Sequence, residues 1–99
     1  MPYIDQNVTR ILLDDDIDRL INKIRDEIDV EDREGVLNYT LTRVLCESLP
    51  PHAGWRYKYM NRAMGVLECM KQEIYRRLIG PYEDKAIDKN GDLECLCAK

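Results

Sequence analysis

The longest unbroken helical pattern in the chain covers residues 59–82, YMNRAMGVLECMKQEIYRRLIGPY. Apolar residues recur in it at steps of three and four, which places them on one face of an α-helix. They are Met60, Ala63, Leu67, Met70, Ile74 and Leu78. We predict that this helix is the centre of the fold and that the other segments pack around its apolar stripe.

Two shorter segments show the same period. The first covers residues 16–28, where an aliphatic stripe lies opposite a charged face. This stripe consists of Ile17, Leu20, Ile21, Ile24 and Ile28. The second covers residues 36–49, with a stripe made of Leu37, Leu41, Val44, Leu45 and Leu49. Residues 29–35 lose the period and accumulate charge, so they are predicted to connect the two helices.

Proline and glycine set the remaining boundaries. Pro50 and Pro51 end the second predicted helix, because proline cannot continue the helical hydrogen bonds and restricts the residue before it. Gly80 and Pro81 break or kink the long helix, and proline is suited to the first position of a new one. A short fourth helix over residues 82–90 is therefore expected, with an Asn-Gly turn after it.

These elements predict an all-α fold. Two short connections between three helices favour antiparallel neighbours, the arrangement of a small up-down bundle. We expect a small antiparallel bundle of three main helices plus a short C-terminal helix. Residues 1–92 are predicted to form a single helical domain, and residues 93–99 a flexible C-terminal tail.

Size and charge add limits on partners. A chain of 99 residues can form one modest core, so self-association is expected to add stability. The net charge of −4 and the pI of about 5.0 argue against broad binding to nucleic acid or to anionic membranes. We expect a homo-oligomer with no membrane partner and no long nucleic acid partner.

Localisation and cysteine chemistry follow from the same composition. No apolar run approaches the roughly 18 residues of a membrane span, and residues 1–10 lack the features of a secretion signal, so a cytoplasmic protein is expected.

Cys46 and Cys69 lie among apolar residues and are predicted to pack as small hydrophobes. Cys95 and Cys97 could bind a thiophilic metal or link subunits, but an incidental terminus is favoured.

Three consecutive carboxylates, Asp14, Asp15 and Asp16, precede the first periodic segment. Carboxylates in this position are typical of a helix N-cap and first turn, where backbone N–H groups and the helix dipole favour anions. A hard cation is the alternative ligand. Capping is the preferred interpretation, because consecutive residues at a helix start point in different directions.

Several short motifs resemble a known family. They are the opening MPYI, the LNY followed by TR in residues 37–43, the GVLEC followed by K, E and YRR in residues 65–77, and PYEDK followed by NGD in residues 81–92. Together they are similar to a family of small uncharacterised proteins, a domain of unknown function found in prokaryotes and tailed phages. The resemblance implies a compact helical fold and no known activity. Family members tend to stop soon after NGD, whereas this chain continues for residues 93–99.

Polar residues of the second and third predicted helices form the main candidate ligand-binding site. They are Asn38, Tyr39, Arg43, Asn61, Glu68, Tyr75, Arg76 and Arg77. Guanidinium groups match phosphate geometry and aromatic rings stack on nucleobases, so one interpretation is a pocket for a small anionic or nucleotide ligand. The other is a half-buried polar network that fixes helix register, in which Arg43 reaches a carboxylate such as Glu68. Glu73 precedes Arg77 by four residues, a spacing that suits an ion pair.

A second cluster interleaves basic and aromatic residues at the start of the long helix. It consists of Trp55, Arg56, Tyr57, Lys58, Tyr59 and Arg62. Such a cluster can bind a small anion or an acidic protein surface, such as residues 29–34 of a neighbouring copy. A solvated helix start with extended side chains is the alternative.

Signatures of enzymes are largely missing from the sequence. It contains no phosphate-binding glycine loop, no Gly-x-Ser-x-Gly, no His-Glu-x-x-His and no Cys-x-x-Cys motif, and its single histidine is His52. Glu68 and Glu73 are five residues apart, the wrong spacing for a helical di-metal site. We predict no catalytic residue, metal site or cofactor.

The predicted function is that of a non-enzymatic, homo-oligomeric helical binding protein. The resemblance to a phage family extends this to sequestration of a small nucleotide-type host signal between subunits. One alternative is a protein-interaction inhibitor or adaptor that uses the surface of residues 55–59. A second alternative is a small metal-dependent hydrolase that uses Glu68 and Glu73.

Overall fold

The computed structural model describes residues 2–51 and 54–97, and every regular element in these two ranges is helical. The predicted all-α class is thus confirmed, and His52 lies outside the described residues. The chain divides into two units, Met1–Met64 and Gly65–Lys99, each described by itself. The single domain over residues 1–92 stays a prediction.

Helix α1 spans Thr9–Glu27 and begins well before the predicted residue 16. The turn before it is held by Asp5, whose carboxylate Oδ1 accepts hydrogen bonds from the backbone N–H groups of Asn7 at 2.7 Å and Val8 at 3.0 Å. No acidic residue lies in the first turn of α1. The prediction that residues 14–16 cap this helix is therefore wrong, because the apolar residues just before them already belong to the helix.

The N-terminal segment runs back along α1. Arg10 Nε donates a hydrogen bond to the backbone oxygen of Ile4 at 2.8 Å. Tyr3 and Ile4 share a shallow groove of about 340 Å³ with Leu13 and Ile17. The first apolar residues of the chain thus lie beside the N-terminal half of the α1 stripe.

The connection after α1 is short and ordered by one arginine. Ile28 is extended, with φ −113° and ψ 127°, a 3-10 turn follows at Val30–Asp32, and α2 spans Arg33–Ser48. The Arg33 guanidinium donates to the backbone oxygens of Ile28 at 3.3 Å and of Arg25 at 3.1 Å. Arg33 therefore satisfies two carbonyls at the C-terminal end of α1 that have no partner within that helix.

Burial in the first unit is slight. Ile24, Ile28, Val36 and Thr40 are half-buried on α1 and α2, whereas most other members of the two predicted stripes are exposed. Ala63, which is 4% exposed, is the one buried side chain among the described residues. It lies on α3, which spans Tyr57–Ile74.

The long helical run continues past α3 through a widened turn. A π-helical segment at Tyr75–Ile79 leads directly into α4 at Gly80–Asn90. Within it the backbone N–H of Gly80 bonds to the oxygen of Tyr75, five residues back. Pro81 has no N–H to donate to a carbonyl four residues back and its ring would crowd that carbonyl, so the wider π turn accommodates the proline that α-helical geometry would not.

A glycine ends α4. Gly91 has φ 93° and its N–H donates to the Ile87 oxygen at 2.8 Å. A 3-10 turn follows at Glu94–Leu96, and the Cys97 thiol lies 3.4 Å from the Asp92 carboxylate. This part of the predicted flexible tail has a defined turn, while residues 98–99 lie outside the description.

The predicted core stripe of the long helix is mostly uncovered. Met60, Leu67, Ile74 and Leu78 are exposed, although Met70 is half-buried. The four cysteines are exposed as well, so the predicted packing of Cys46 and Cys69 is wrong. The prediction that this stripe is buried is therefore wrong for most of its members.

Candidate functional site

Three side chains on one face of α2 form the most structured polar cluster in the first unit. Tyr39, Arg43 and Glu47 follow one another at steps of four, so they stack along the helix surface. Arg43 Nε donates to Glu47 Oε2 at 2.7 Å, and its Nη1 donates to the Tyr39 hydroxyl at 3.2 Å. The guanidinium carbon lies 5.8 Å from the centroid of the Tyr39 ring. The cation is therefore held between a carboxylate and an aromatic ring.

This pairing changes the acid–base properties of both partners. The hydrogen bond to Glu47, with a smaller effect from Tyr39, raises the pKa of Arg43 above its ordinary value. The hydrogen bond from Arg43, followed by its positive charge, lowers the pKa of Glu47 below the usual 4.5. Both shifts favour the charged forms, so Arg43 is cationic and Glu47 anionic at neutral pH.

A shallow groove lies beside the cluster. It has a volume of about 390 Å³ and is lined by Leu20 of α1 and by Tyr39, Thr40, Arg43, Val44 and Glu47 of α2. Leu20 and Val44 contribute apolar side chains to its lining, and the Tyr39–Arg43–Glu47 cluster contributes polar groups. Its volume falls within the range found in small-molecule sites, although the groove is open to solvent.

The other predicted site residues of the first unit are Asn38 on α2 and Asn61 on α3. Asn38 Oδ1 accepts a hydrogen bond from the Thr42 hydroxyl at 3.3 Å. Asn61 is exposed on α3. Neither residue lines the groove, so the groove uses two of the predicted residues, Tyr39 and Arg43.

The remaining predicted site residues belong to the second unit. Glu68 accepts a hydrogen bond from Gln72 at 3.1 Å and pairs with Lys71 at 3.9 Å. Tyr75, Arg76 and Arg77 form the start of the π-helical segment. Arg76 pairs with Glu73 at 2.6 Å, and the Glu73 side chain is half-buried. Consecutive side chains on a helix point in different directions, and binding of a ligand by these three residues stays a prediction.

The structure pairs charges over shorter sequence distances than predicted. Glu73 was expected to pair with Arg77, and the structure pairs it with Arg76 at three residues' separation. For Arg43 the carboxylate partner in the structure is Glu47. Sequence reasoning missed Glu47, although its spacing of four from Arg43 is the signal that identifies such pairs.

The basic-aromatic cluster at the start of α3 is organised around one ring. Lys58 Nζ lies 5.1 Å and the Arg62 guanidinium 5.5 Å from the centroid of Tyr59. Tyr57 is 80% exposed and Trp55 is 40% exposed. The two cations are thus held against Tyr59, while two large aromatic side chains are open to solvent.

The described part of the chain contains neither a cluster of metal ligands nor a helix that could cross a membrane. Within residues 2–51 and 54–97, no group of three or more His, Cys, Asp or Glu side chains is arranged to hold a metal ion. In the same ranges, none of the helices has an apolar stretch long enough to cross a membrane.

Comparison with known proteins identifies a family match. A family model described as a domain of unknown function (DUF6899) matches residues 1–93. No curated protein and no solved structure matches the chain.

Proposed function

The chain belongs to this family of domains of unknown function, which assigns it no activity, and we propose its function from the chemistry of the site. In this proposal it is a non-enzymatic, homo-oligomeric helical protein that binds a small anionic ligand of nucleotide type. The same proposal includes an antiparallel arrangement of the helices. It also includes a phage origin for the protein, with a host signal as the ligand.

The observation that supports ligand binding is the presence of Arg43 in the lining of the groove. Its guanidinium carries five N–H groups, and the bonds to Glu47 and Tyr39 engage two of its nitrogens. A phosphate approaching the groove can form bidentate bonds with a guanidinium, a geometry that the single bond to Glu47 does not use. A base can then lie against the Tyr39 ring or the apolar side chains of Leu20 and Val44.

Glu47 makes this site selective. Because its carboxylate already neutralises Arg43, a ligand must provide more than one negative charge or a second contact to compete with it. A nucleotide does so through its phosphate and its stacked base together. We place the ligand on α1 and α2 alone, and binding by Tyr75, Arg76 and Arg77 stays a separate prediction.

The surface area of the chain supports self-association. Its accessible surface is 9211 Å². Two separate compact bodies with the sizes of the two units would together expose about 7,000 Å² on the usual mass scaling. The excess of roughly 2,000 Å² is larger than the ~800 Å² that each partner contributes to a standard interface. Many of the uncovered side chains are large and apolar, which favours their burial against another chain.

Thermal shift with a panel of mono- and cyclic nucleotides tests the ligand proposal. A ligand at one hundred times its Kd stabilises the native state by about 2.7 kcal/mol, so binding gives a clear rise in Tm. We expect this rise to be lost in Arg43→Gln and kept in Arg19→Gln. Arg19 is a matched control, because it is also an exposed helix arginine paired with an acid, Asp16, at 3.3 Å.

Two results would overturn the ligand proposal. One is the absence of any shift across the nucleotide panel. The other is an equal loss of the shift in both arginine variants, since the effect would then be one of overall charge. Recovery of the bound nucleotide unchanged after denaturation separates a binding protein from an enzyme.

A protein-interaction role is the second candidate, and it rests on the basic-aromatic cluster. Tyr57 and Trp55 combine large apolar area with few rotatable bonds, a property of residues that dominate protein interfaces. In this case Tyr57→Ala abolishes capture of an acidic partner protein, whereas Arg43→Gln leaves capture intact. The reverse pattern contradicts the adaptor role.

A further inference from the structure

We propose that two copies of the chain form a two-fold symmetric dimer through an apolar face made by Ile21 of α1 with Leu37 and Leu41 of α2. This inference rests on the homo-oligomeric part of the proposed function and assigns its interface and symmetry. The helices α1 of the two copies run antiparallel across each other near Ile21.

The three residues of the apolar face are uncovered within their own chain. Ile21 is 44% exposed, Leu37 is 42% exposed and Leu41 is 47% exposed. None of them lines the groove beside Arg43 or the groove under the N-terminal segment. Burial of a leucine or isoleucine side chain is strongly favourable, so this face has a driving force for association that leaves the ligand groove open.

Two observations support an antiparallel match of α1 and α2, from which the positions of the three residues are inferred. Arg33 reaches the carbonyls of Arg25 and Ile28, whereas Leu20 borders the same groove as Thr40 and Val44. Later residues of α2 thus match earlier residues of α1, as in two antiparallel helices.

A rotation of about 100° per residue then turns Ile21, Leu37 and Leu41 towards the same side of the pair. The same rotation turns Tyr39 towards the opposite side. The antiparallel match also brings Ile21 level with Leu41. The apolar face is therefore continuous across both helices.

The charges beside Ile21 indicate that the partner is a second copy. Asp18 lies three residues before Ile21 and Arg25 four residues after it, so both lie along one edge of the stripe. A two-fold axis near Ile21 brings Asp18 of each copy beside Arg25 of the other. A parallel alignment of the two α1 helices would not form these two pairs. The edge of the face is thus complementary to itself in the antiparallel arrangement.

The experiment uses charge exchange in the full-length chain. Arg25→Glu places a second carboxylate opposite Asp18, and Asp18→Arg places a second guanidinium opposite Arg25, so each variant alone has repulsive pairs in place of attractive ones. We expect the dissociation constant of the dimer to increase about tenfold in each variant. Light scattering after size exclusion, over a series of protein concentrations, measures this change. An equimolar mixture of the two variants allows a heterodimer in which every facing pair joins opposite charges.

The arrangement of charges in that mixture can be followed pair by pair. In the heterodimer, the introduced carboxylate of the first variant faces the introduced guanidinium of the second, and the native Asp18 of the first faces the native Arg25 of the second. Both pairs are attractive, so a heterodimer with the affinity of the wild type is expected. A mixture that associates no better than either variant alone contradicts the antiparallel alignment.

An apolar substitution provides the second test. Leu41→Glu introduces a charge into the centre of the face and is expected to give a monomer. The control is Leu12→Glu, which should leave the dimer intact, because Leu12 is 74% exposed on another side of α1. Circular dichroism checks that Leu41→Glu keeps its helices. The heterodimer test needs no such variant and decides the question if Leu41→Glu unfolds.

The outcomes separate this inference from the proposed function. A wild-type dimer that is unaffected by Arg25→Glu, Asp18→Arg and Leu41→Glu overturns the interface and leaves the homo-oligomer standing. A monomeric wild-type chain overturns the interface and the homo-oligomer together. Nucleotide thermal shift in a monomeric Leu41→Glu variant tests the ligand groove independently, since Leu41 does not line it.

Discussion

Gly65 lies within α3 and provides a sensitive test of the helix and its surroundings. A Cβ built on Gly65 meets nothing within 4 Å, so alanine enters open space. Glycine in a helix interior is less stable than alanine by roughly 0.5–1 kcal/mol, because the unfolded glycine backbone has more conformational freedom. We expect Gly65→Ala to raise the free energy of unfolding by this amount. For a chain of about 100 residues, 1 kcal/mol corresponds to a rise in Tm of about 4–8 °C.

Gly91 is a matched control for the same change. A Cβ there also meets nothing within 4 Å, but Gly91 has φ 93° and ψ 147°, a backbone conformation that side chains strongly disfavour. Such strain costs about 1–3 kcal/mol. Gly91→Ala is therefore expected to lower Tm, although the two substitutions add the same methyl group. The opposite signs isolate backbone conformation as the cause.

Thermal unfolding followed by circular dichroism measures both variants, with light scattering to record the oligomeric state. A fall in Tm for Gly65→Ala would refute the reasoning, since it would mean that another chain packs closely against this part of α3. Light scattering would then show weaker self-association as well. A neutral Gly91→Ala would contradict the backbone explanation.

Three further predictions concern single side chains. Arg33→Met removes two hydrogen bonds to carbonyls at the end of α1 and is expected to lower the free energy of unfolding in urea by about 1–2 kcal/mol. Unchanged stability would show that water replaces these bonds. Asp5→Ala removes the carboxylate before α1 and should cost about 0.5–2 kcal/mol, with Asp15→Ala as a control of equal charge. Because the folded-state pKa of Glu47 is lowered, its stabilising effect is present above its unfolded pKa of about 4.5 and is lost as pH falls through the folded value. Unfolding curves of Glu47→Gln and wild type should therefore differ at neutral pH and converge in acid, and a difference that persists in acid would assign the effect to another group.

The sequence predicted where the helices lie better than where they begin. Steps of three and four identified helical residues in α1, α2 and α3, because local spacing determines which side chains share a helix face. The start of α1 was missed, since Asp5 holds the preceding turn through bonds that the apolar pattern does not encode. The π-helical turn was also missed, because Pro81 is compatible with either a break or a widened helix.

The candidate site was predicted in part for the same reason. Tyr39 and Arg43 were identified by their chemistry, and the structure brings them together beside a groove. Glu47 was missed as their partner, although its spacing was available in the sequence. Leu20 was predicted as part of an apolar stripe, but its place in the groove depends on the approach of α2 to α1, which no local spacing specifies.

The sequence by itself determined that this protein is helical, which residues form the apolar stripe of each helix, and which charges stand four residues apart. These properties depend on interactions within a few turns of one helix. Only the tertiary structure decided which parts of the stripes are covered, that Arg43 lies beside a groove with Leu20, and that Ile21, Leu37 and Leu41 are left uncovered. Burial depends on the approach of segments distant in sequence, and the same apolar stripe can be covered by its own chain or by a second copy.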